Sequence, residues 1–259
     1  MEPLYKTIDN ILQLDEIPST NDFLRSLLDS SSNSLSNGFV VSCRFQSSGR
    51  GQVGNKWHSE KDMNLLFSLL LYPDFVEIRD QFYISKAISI AIVKVLRSLF
   101  PAQASFFTIK WPNDIYYKDS KLAGILIENF LMGSSISNSI VGVGLNVDEV
   151  TFPAFLPNPI SLGNINPQMT YTKEEILILL RDSILHEVDK LHHMEEYDSL
   201  SNQYLQYLYR YSVLSPFSDE KGSFYATIET VQADGKLVLL TDKGERKKYY
   251  FKEVEYLFD

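Results

Sequence analysis

The sequence predicts an α+β chain, and three observations carry that prediction. Between Phe106 and Val147, apolar runs of strand length follow one another across connections too short for a crossover, which makes the neighbours antiparallel. Two other long stretches, Gln81 to Phe100 and the run opened by Thr172, place their apolar residues at helical spacing. From Ser212 onward the pattern changes to short strands separated by Asp234-Gly235 and Lys243-Gly244. The expected division is a main domain over residues 1–211 and a small β domain over 212–259. A unit of fewer than about 50 residues rarely folds unaided, so the second is expected to lean on the first.

In chain order, a short lead-in precedes Ile17-Pro18-Ser19-Thr20-Asn21-Asp22, where Ser19 suits an N-cap and Asp22 the first turn of a helix carrying Phe23, Leu24, Leu27 and Leu28. The polar run 30–37 reads as a loop. Gly38 to Phe45 reads as a strand with Phe39, Val41, Cys43 and Phe45 on one face. Asn64 to Tyr72, nearly all apolar and closed by Pro73, suits a strand buried on both faces. Gln81 to Phe100 is a largely buried helix. Phe106 to Trp111, Ile115 to Lys118, Leu122 to Phe130 and Ser139 to Val147 are consecutive strands, the first ending at the turn Pro112-Asn113-Asp114. A proline-rich stretch, 152–159, leads to Thr172-Lys173-Glu174-Glu175, which has capping-box form. The next helix carries Tyr197, Leu200, Tyr204, Leu208 and Tyr211 as a packing stripe. Strands over 224–231, 236–240 and 247–251 close the chain.

Composition narrows the function classes. At 259 residues with 44% hydrophobic side chains, the chain is long enough for a full core and too apolar to be disordered. No apolar run approaches about 20 residues, and the first residues lack a basic-then-apolar signal, so a cytoplasmic protein without a membrane span is expected. A net charge of -9 disfavours nucleic acid as the main partner. Arg246-Lys247-Lys248 does not change that, because residues 221–259 hold seven basic and seven acidic side chains and the run reads as a solvated edge strand. The single cysteine, Cys43, lies inside a strand and reads as a small buried hydrophobe. His186, His192 and His193 lack the spacing of a zinc-binding helix face.

The chemistry concentrates in a cationic glycine loop, Gly49-Arg50-Gly51-Gln52-Val53-Gly54-Asn55-Lys56-Trp57. Its glycines let backbone N–H groups approach an anion, and Arg50 adds a planar charged fork. The spacing satisfies G-x-G-x-x-G, but Gln46-Ser47-Ser48 separate it from the preceding strand and Trp57 to Asp62 carry no amphipathic repeat, which argues against a dinucleotide fingerprint. Asn55 stands where a Walker loop needs lysine. Two further polar segments, Lys110-Trp111-Pro112-Asn113-Asp114 and Lys121-Leu122-Ala123-Gly124, lie at strand ends. Gly142-Val143-Gly144-Leu145-Asn146 suggests a strand whose backbone packs closely against something else. His58 beside Trp57 has no visible nucleophile to serve.

Together, Ser19-Thr20-Asn21, the segment from Gln46 to Trp57, Lys110 to Asp114, Lys121 to Leu126 with Glu128, and Gly142 to Val147 resemble the biotin protein ligases in order and approximate spacing over residues 17–147. The resemblance implies a mixed sheet flanked by helices, of the class II aminoacyl-tRNA synthetase type, followed by a small SH3-like C-terminal barrel. It implies an ATP-dependent reaction through biotinyl-5'-adenylate, ending on a lysine of a biotin carboxyl carrier domain of a biotin-dependent carboxylase. The substrates are then ATP and biotin, with Mg2+, and Lys121 and Arg50 are the catalytic candidates. Biotin contacts are implied for Ser19, Thr20, Asn21, Gln46, Arg50, Gly51, Gln52, Lys121 and Gly124. Contacts to ATP or the adenylate are implied for Arg50, Gly51, Gln52, Trp57, Asn113, Asp114, Lys121 and Asn146, and Asp114 is the metal candidate. Gln52 and Asn55 depart from the further arginines that many family members carry. The regulatory members' helix-turn-helix domain is not expected, with some 15 residues before the Ser-Thr-Asn motif, so no specific DNA is expected as partner; a homodimer is left open. A lipoate ligase and a non-catalytic binder of biotin or its adenylate are the rival readings. The glycine loop with its closing tryptophan disfavours the first, and the presence of Lys121 and Arg50 the second.

Overall fold

A computed structural model describes residues 7–30, 35–52 and 54–258. Val53 of the glycine loop, part of the polar run 30–37 and the first six residues lie outside that description. An eight-stranded sheet is built from β1 (Thr7–Ile8), β2 (Ile11–Ile17), β3 (Val40–Gln46), β4 (Leu65–Leu71), β5 (Phe107–Lys110), β6 (Asp114–Tyr117), β7 (Ser120–Met132) and β8 (Ser135–Leu145). Their spatial order is β1-β2-β3-β4-β8-β7-β6-β5, antiparallel throughout except for β2 against β3. The helices are α1 (Thr20–Ser30), α2 (Phe82–Leu99), α3 (Leu162–Ile165), α4 (Lys173–Asp189) and α5 (Glu196–Tyr207). A second, antiparallel sheet holds β9 (Ser215–Asp219), β10 (Gly222–Val231), β11 (Leu237–Thr241), β12 (Arg246–Tyr249) and β13 (Glu255–Tyr256), in the order β12-β11-β10-β9-β13.

The two faces of the large sheet have different covers, and that difference makes the site. On one face Leu65, Phe67, Leu69 and Leu71 of β4 pack with Val141, Val143 and Leu145 of β8 under α2 and α4. On the other, Leu66 and Leu70 join Val41, Cys43, Leu24 and Ile140 in a smaller core beneath α1. Under the first turn of α1 and past it, this second face carries Ser68, Gly142, Gly144 and Gly124, which cannot build a core of their own. β4 is buried on both faces, as its unbroken apolar run predicts. Cys43 is buried and its thiol is pushed up to about 12 by desolvation, so it is inert.

Sequence and structure part company in four places. The lead-in contains β2, whose alternation is interrupted by Asp15-Glu16 and which is held by parallel pairing to β3. The β3 strand has Val40 through Cys43 all buried, because both faces are covered there. In the C-terminal sheet, β9 contains Pro216, which masked it, and β13 is only two residues long. The packing stripe of α5 outruns its helix, which ends at Tyr207. Elsewhere the local signals hold. Thr172 and Glu175 form the capping box, Asp22 N–H donates to Ser19 Oγ at 3.4 Å, and the Arg246–Tyr249 strand is an edge, with Arg246 paired to Glu229.

The C-terminal sheet shares the large core. Phe217, Ala226, Ile228 and Leu239 belong to the same apolar cluster as α2 and α5. The Trp111 indole N–H donates to the Gly235 carbonyl at 2.9 Å, and Arg210 donates to the Leu257 carbonyl at 2.7 Å.

Candidate functional site

A cavity of about 640 Å3 opens on the glycine-bearing face of the large sheet, within the size range of small-molecule sites. Its floor depends on missing side chains. Gly124 and Gly144 are cross-strand partners on β7 and β8, and a Cβ on either would collide with the Trp57 indole; one on Gly142 would collide with the Asn21 amide. The glycines therefore let Trp57 and Asn21 lie directly on the sheet as opposite parts of the lining. This is the close backbone approach that the small-residue run of β8 predicts.

At one end, the start of α1 meets β3 and β4 in a hydroxyl and amide network. Gln46 Oε1 accepts from the Thr20 N–H at 2.7 Å and from Thr20 Oγ1 at 3.1 Å. Ser68 Oγ donates towards Thr20 Oγ1 and Asn21 Oδ1, and Asn21 Nδ2 donates to Glu128 at 2.8 Å. Burial pushes the Glu128 carboxyl up, but the Asn21 amide and the Arg50 and Arg25 guanidinia outweigh it and hold the group below the ordinary carboxylate range. The network is thus anchored on a fixed negative charge.

The glycine loop closes one side as a tight hairpin. Gly51 N–H donates to the Asn55 carbonyl and Trp57 N–H to the Gly49 carbonyl, both at 2.9 Å, with Gly54 at a positive φ of 83°. Arg50 reaches across the lining to pair with Asp22 at 2.6 Å and Glu128 at 3.1 Å. Lys121, at the start of β7, pairs with Asp114 at 2.8 Å and has its ammonium 5.8 Å from the Trp57 ring centre. Parallel bridging to Pro159 fixes its backbone, so the proline-rich stretch braces this lysine. Lys110 stands beside it, over the rings of Tyr116 and Tyr256. Burial pulls the Lys110 ammonium down; Asp114 counters that, and Lys121 and Arg210 reinforce it.

Every residue that the resemblance implies, Asn146 excepted, lines this cavity: Ser19, Thr20, Asn21, Gln46, Arg50, Gly51, Gln52, Trp57, Asn113, Asp114, Lys121 and Gly124. The resemblance puts Asn146 against the nucleotide; in the structure its Nδ2 donates to the Ile160 carbonyl at 3.0 Å, a bond that braces the connection after β8, and the residue is 5% exposed. His58 is not part of the cavity lining, and its Nε2 lies 3.3 Å from a Glu149 oxygen. Among the described residues no three His, Cys, Asp or Glu side chains form a ready metal cage.

Sequence reasoning missed one whole wall. Phe251, Lys252, Val254, Glu255 and Tyr256 of the C-terminal sheet line the cavity next to the 110–114 segment. Nothing local in that stretch announces it, because its partners lie more than 100 residues earlier. Ser68 was hidden inside the apolar run of β4; a lone hydroxyl in such a run is the signal that could have found it.

Comparison with known proteins agrees with this geometry. A family model described as the Biotin/lipoate A/B protein ligase family matches residues 14–146. The bifunctional ligase/repressor BirA of Escherichia coli (strain K12) is 32% identical over 138 residues, which are 53% of this chain and 40% of that protein. The biotin-protein ligase of Homo sapiens is 31% identical over 139 residues, 53% of this chain and 19% of that one. The chain therefore spans well under half the length of these relatives. Among solved structures, the biotin protein ligase from Aquifex aeolicus in complex with biotin and ATP superposes with a TM-score of 0.76 at 22% identity, covering 96% of this chain and 100% of the other. At that identity the likeness shows the fold.

Proposed function

We propose, since this chain belongs to the Biotin/lipoate A/B protein ligase family, that it is an ATP-dependent ligase joining biotin to a lysine of a biotin carboxyl carrier domain. One observation carries the reading: Arg50 and Lys121 share a cavity with the hydroxyl and amide network of Thr20, Asn21 and Gln46. A ureido ring system presents both donors and acceptors, and that network offers the matching partners.

In the first step, a carboxylate oxygen of biotin attacks the α-phosphorus of ATP, the bond to the β-phosphate breaks, and pyrophosphate leaves with that electron pair. Two anions must approach, so the chemistry needs cations aimed at the phosphoryl oxygens. Lys121 and Arg50 supply them, each oriented by its carboxylate partner. Magnesium, when bound, neutralises phosphate charge; Asp114 is the carboxylate that would hold it, in keeping with a metal that retains waters and phosphate oxygens. In the second step the acceptor lysine's amine attacks the acyl carbon, AMP departs, and the amide forms with loss of a proton. Ser19 and Gly124 border the biotin end, and Gly51, Gln52, Trp57 and Asn113 the adenylate. The glycine loop keeps water from the mixed anhydride until the acceptor arrives.

In this reading residues 1–211 form the ligase domain and 212–259 the small β domain that completes the cavity. Net charge and the balanced appendage support action without specific DNA. No helix among the described residues is long and apolar enough to cross a membrane, and we place the reaction in the cytoplasm. The test is incubation of purified protein with ATP, magnesium and radiolabelled biotin, with a carrier domain as acceptor. Label on the carrier supports the reading. Pyrophosphate exchange driven by lipoate and not by biotin, or binding of biotin with no exchange, would overturn it.

A further inference from the structure

Lys86, on α2, is a buried cation that the proposed chemistry does not use. It is 2% exposed and does not line the cavity. Among the described residues no carboxylate pairs with it. Its ammonium donates to Ser201 Oγ at 3.0 Å and to the Val231 carbonyl at 3.1 Å, and lies 4.5 Å from the centre of the Tyr83 ring and 6.0 Å from that of Tyr204. Burial pulls it down to about 8. An apolar side chain would fill the same space without the desolvation cost, so the donors themselves are what the site keeps.

The two acceptors lie in different layers, Ser201 on α5 and Val231 at the end of β10. The turn that follows Val231 is gripped twice more. Trp111 donates to the Gly235 carbonyl at 2.9 Å, and the Phe82 ring lies so close to Gly235 that a Cβ there would come within 2.8 Å of it. β10 pairs with β9, and β9 with β13, whose Tyr256 lines the cavity. A charged donor on a carbonyl is short-ranged and directional, whereas apolar contact alone lets a sheet slide.

We propose that Lys86 is a positioning residue: by holding the end of β10 against α2 and α5, it fixes the C-terminal sheet where Phe251 to Tyr256 close the nucleotide end of the cavity. The catalytic half of this statement rests on the function proposed above; the docking half does not.

The test uses Lys86→Met, which removes the donors at similar volume, and Ser201→Ala, which keeps the cation and removes one acceptor. Amide hydrogen exchange is read on ligand-free protein over 228–236 and 250–256, with β4 and β8 as internal references. In Lys86→Met those segments should exchange roughly tenfold faster while the references stay unchanged. The KM for ATP in biotin-dependent pyrophosphate exchange should rise roughly tenfold with kcat within about twofold, since a merely destabilised protein would lose active fraction and keep its KM. Should Lys86→Met fail to fold, Ser201→Ala decides, with the same split at about threefold. Unchanged exchange in both segments of a folded variant, or a fall in kcat at constant KM, overturns the proposal. Loosened segments in a protein whose wild type shows no biotin-dependent exchange would uphold the docking role and sink the ligase reading.

Discussion

Arg50 and Lys121 reach the cavity already paired with carboxylates, Arg50 with Asp22 and Glu128, and Lys121 with Asp114. Each pair aims a cation while leaving donors for phosphate. On the proposed function, Lys121→Ala removes both the cation and the ion pair with Asp114 that orients it, so the loss exceeds that of a single hydrogen bond. We expect pyrophosphate exchange to fall by about 100- to 1,000-fold, equivalent to about 3–4 kcal/mol in the transition state, with the circular dichroism spectrum unchanged. Near-normal exchange in the folded variant would remove Lys121 from the chemistry. At Gln52 a neutral amide lines the same cavity. A charge-assisted hydrogen bond contributes roughly 1.5–3 kcal/mol against about 1 for a neutral one, so Gln52→Arg should slow release of preloaded biotinyl-adenylate about tenfold. Release as fast as wild type would mean that Arg50 and Lys121 already hold the intermediate fully.

At the scale of elements, the site depends on where strands lack side chains. Gly144→Ala would set a methyl inside the space of the Trp57 indole. The glycine belongs to a strand paired on both sides and the ring to a loop, so the ring should give way. We expect stability to fall by about 1 kcal/mol, and ATP affinity by about tenfold as the indole leaves the lining. Denaturant titration and tryptophan fluorescence check both, and a Trp57 emission identical to wild type would refute the packing argument. These elements also mark how far the sequence was legible. Caps, the β4 run, the α2 helix and the antiparallel strands over 106–147 are local patterns and were readable. The cavity's first wall was readable because residues 17–147 bring their motifs together in one continuous stretch of chain. Two kinds of feature were not. β2 and β9 owe their pairing to neighbours rather than to their own alternation, and Phe251 to Tyr256 reach the cavity through a docking of sheets that no local pattern encodes.

At the scale of the whole molecule, that docking couples stability to pH through Lys86. Its ammonium is pulled from the ordinary 10.5 to about 8 in the folded protein by burial. Below pH 8 both folded and unfolded chains carry the proton, and the folded state bears the full cost of the buried charge. Between pH 8 and 10.5 the unfolded chain binds a proton that the folded chain has released, so this group's contribution to stability rises with pH, by on the order of 3 kcal/mol across the window. The buried tyrosines act in the opposite sense. Burial raises the Tyr204 and Tyr256 hydroxyls, so above pH 10 the unfolded chain ionises first and stability falls. The two contributions are separated by subtraction, because Lys86→Met keeps the tyrosines. Whatever offset the variant shows at pH 7, wild type minus Lys86→Met in denaturant-derived stability should climb from pH 8 to 10.5 and then level off. A difference that stays flat across that window would mean that Lys86 is not the buried, carboxylate-free cation on which the docking of the C-terminal sheet is argued to depend.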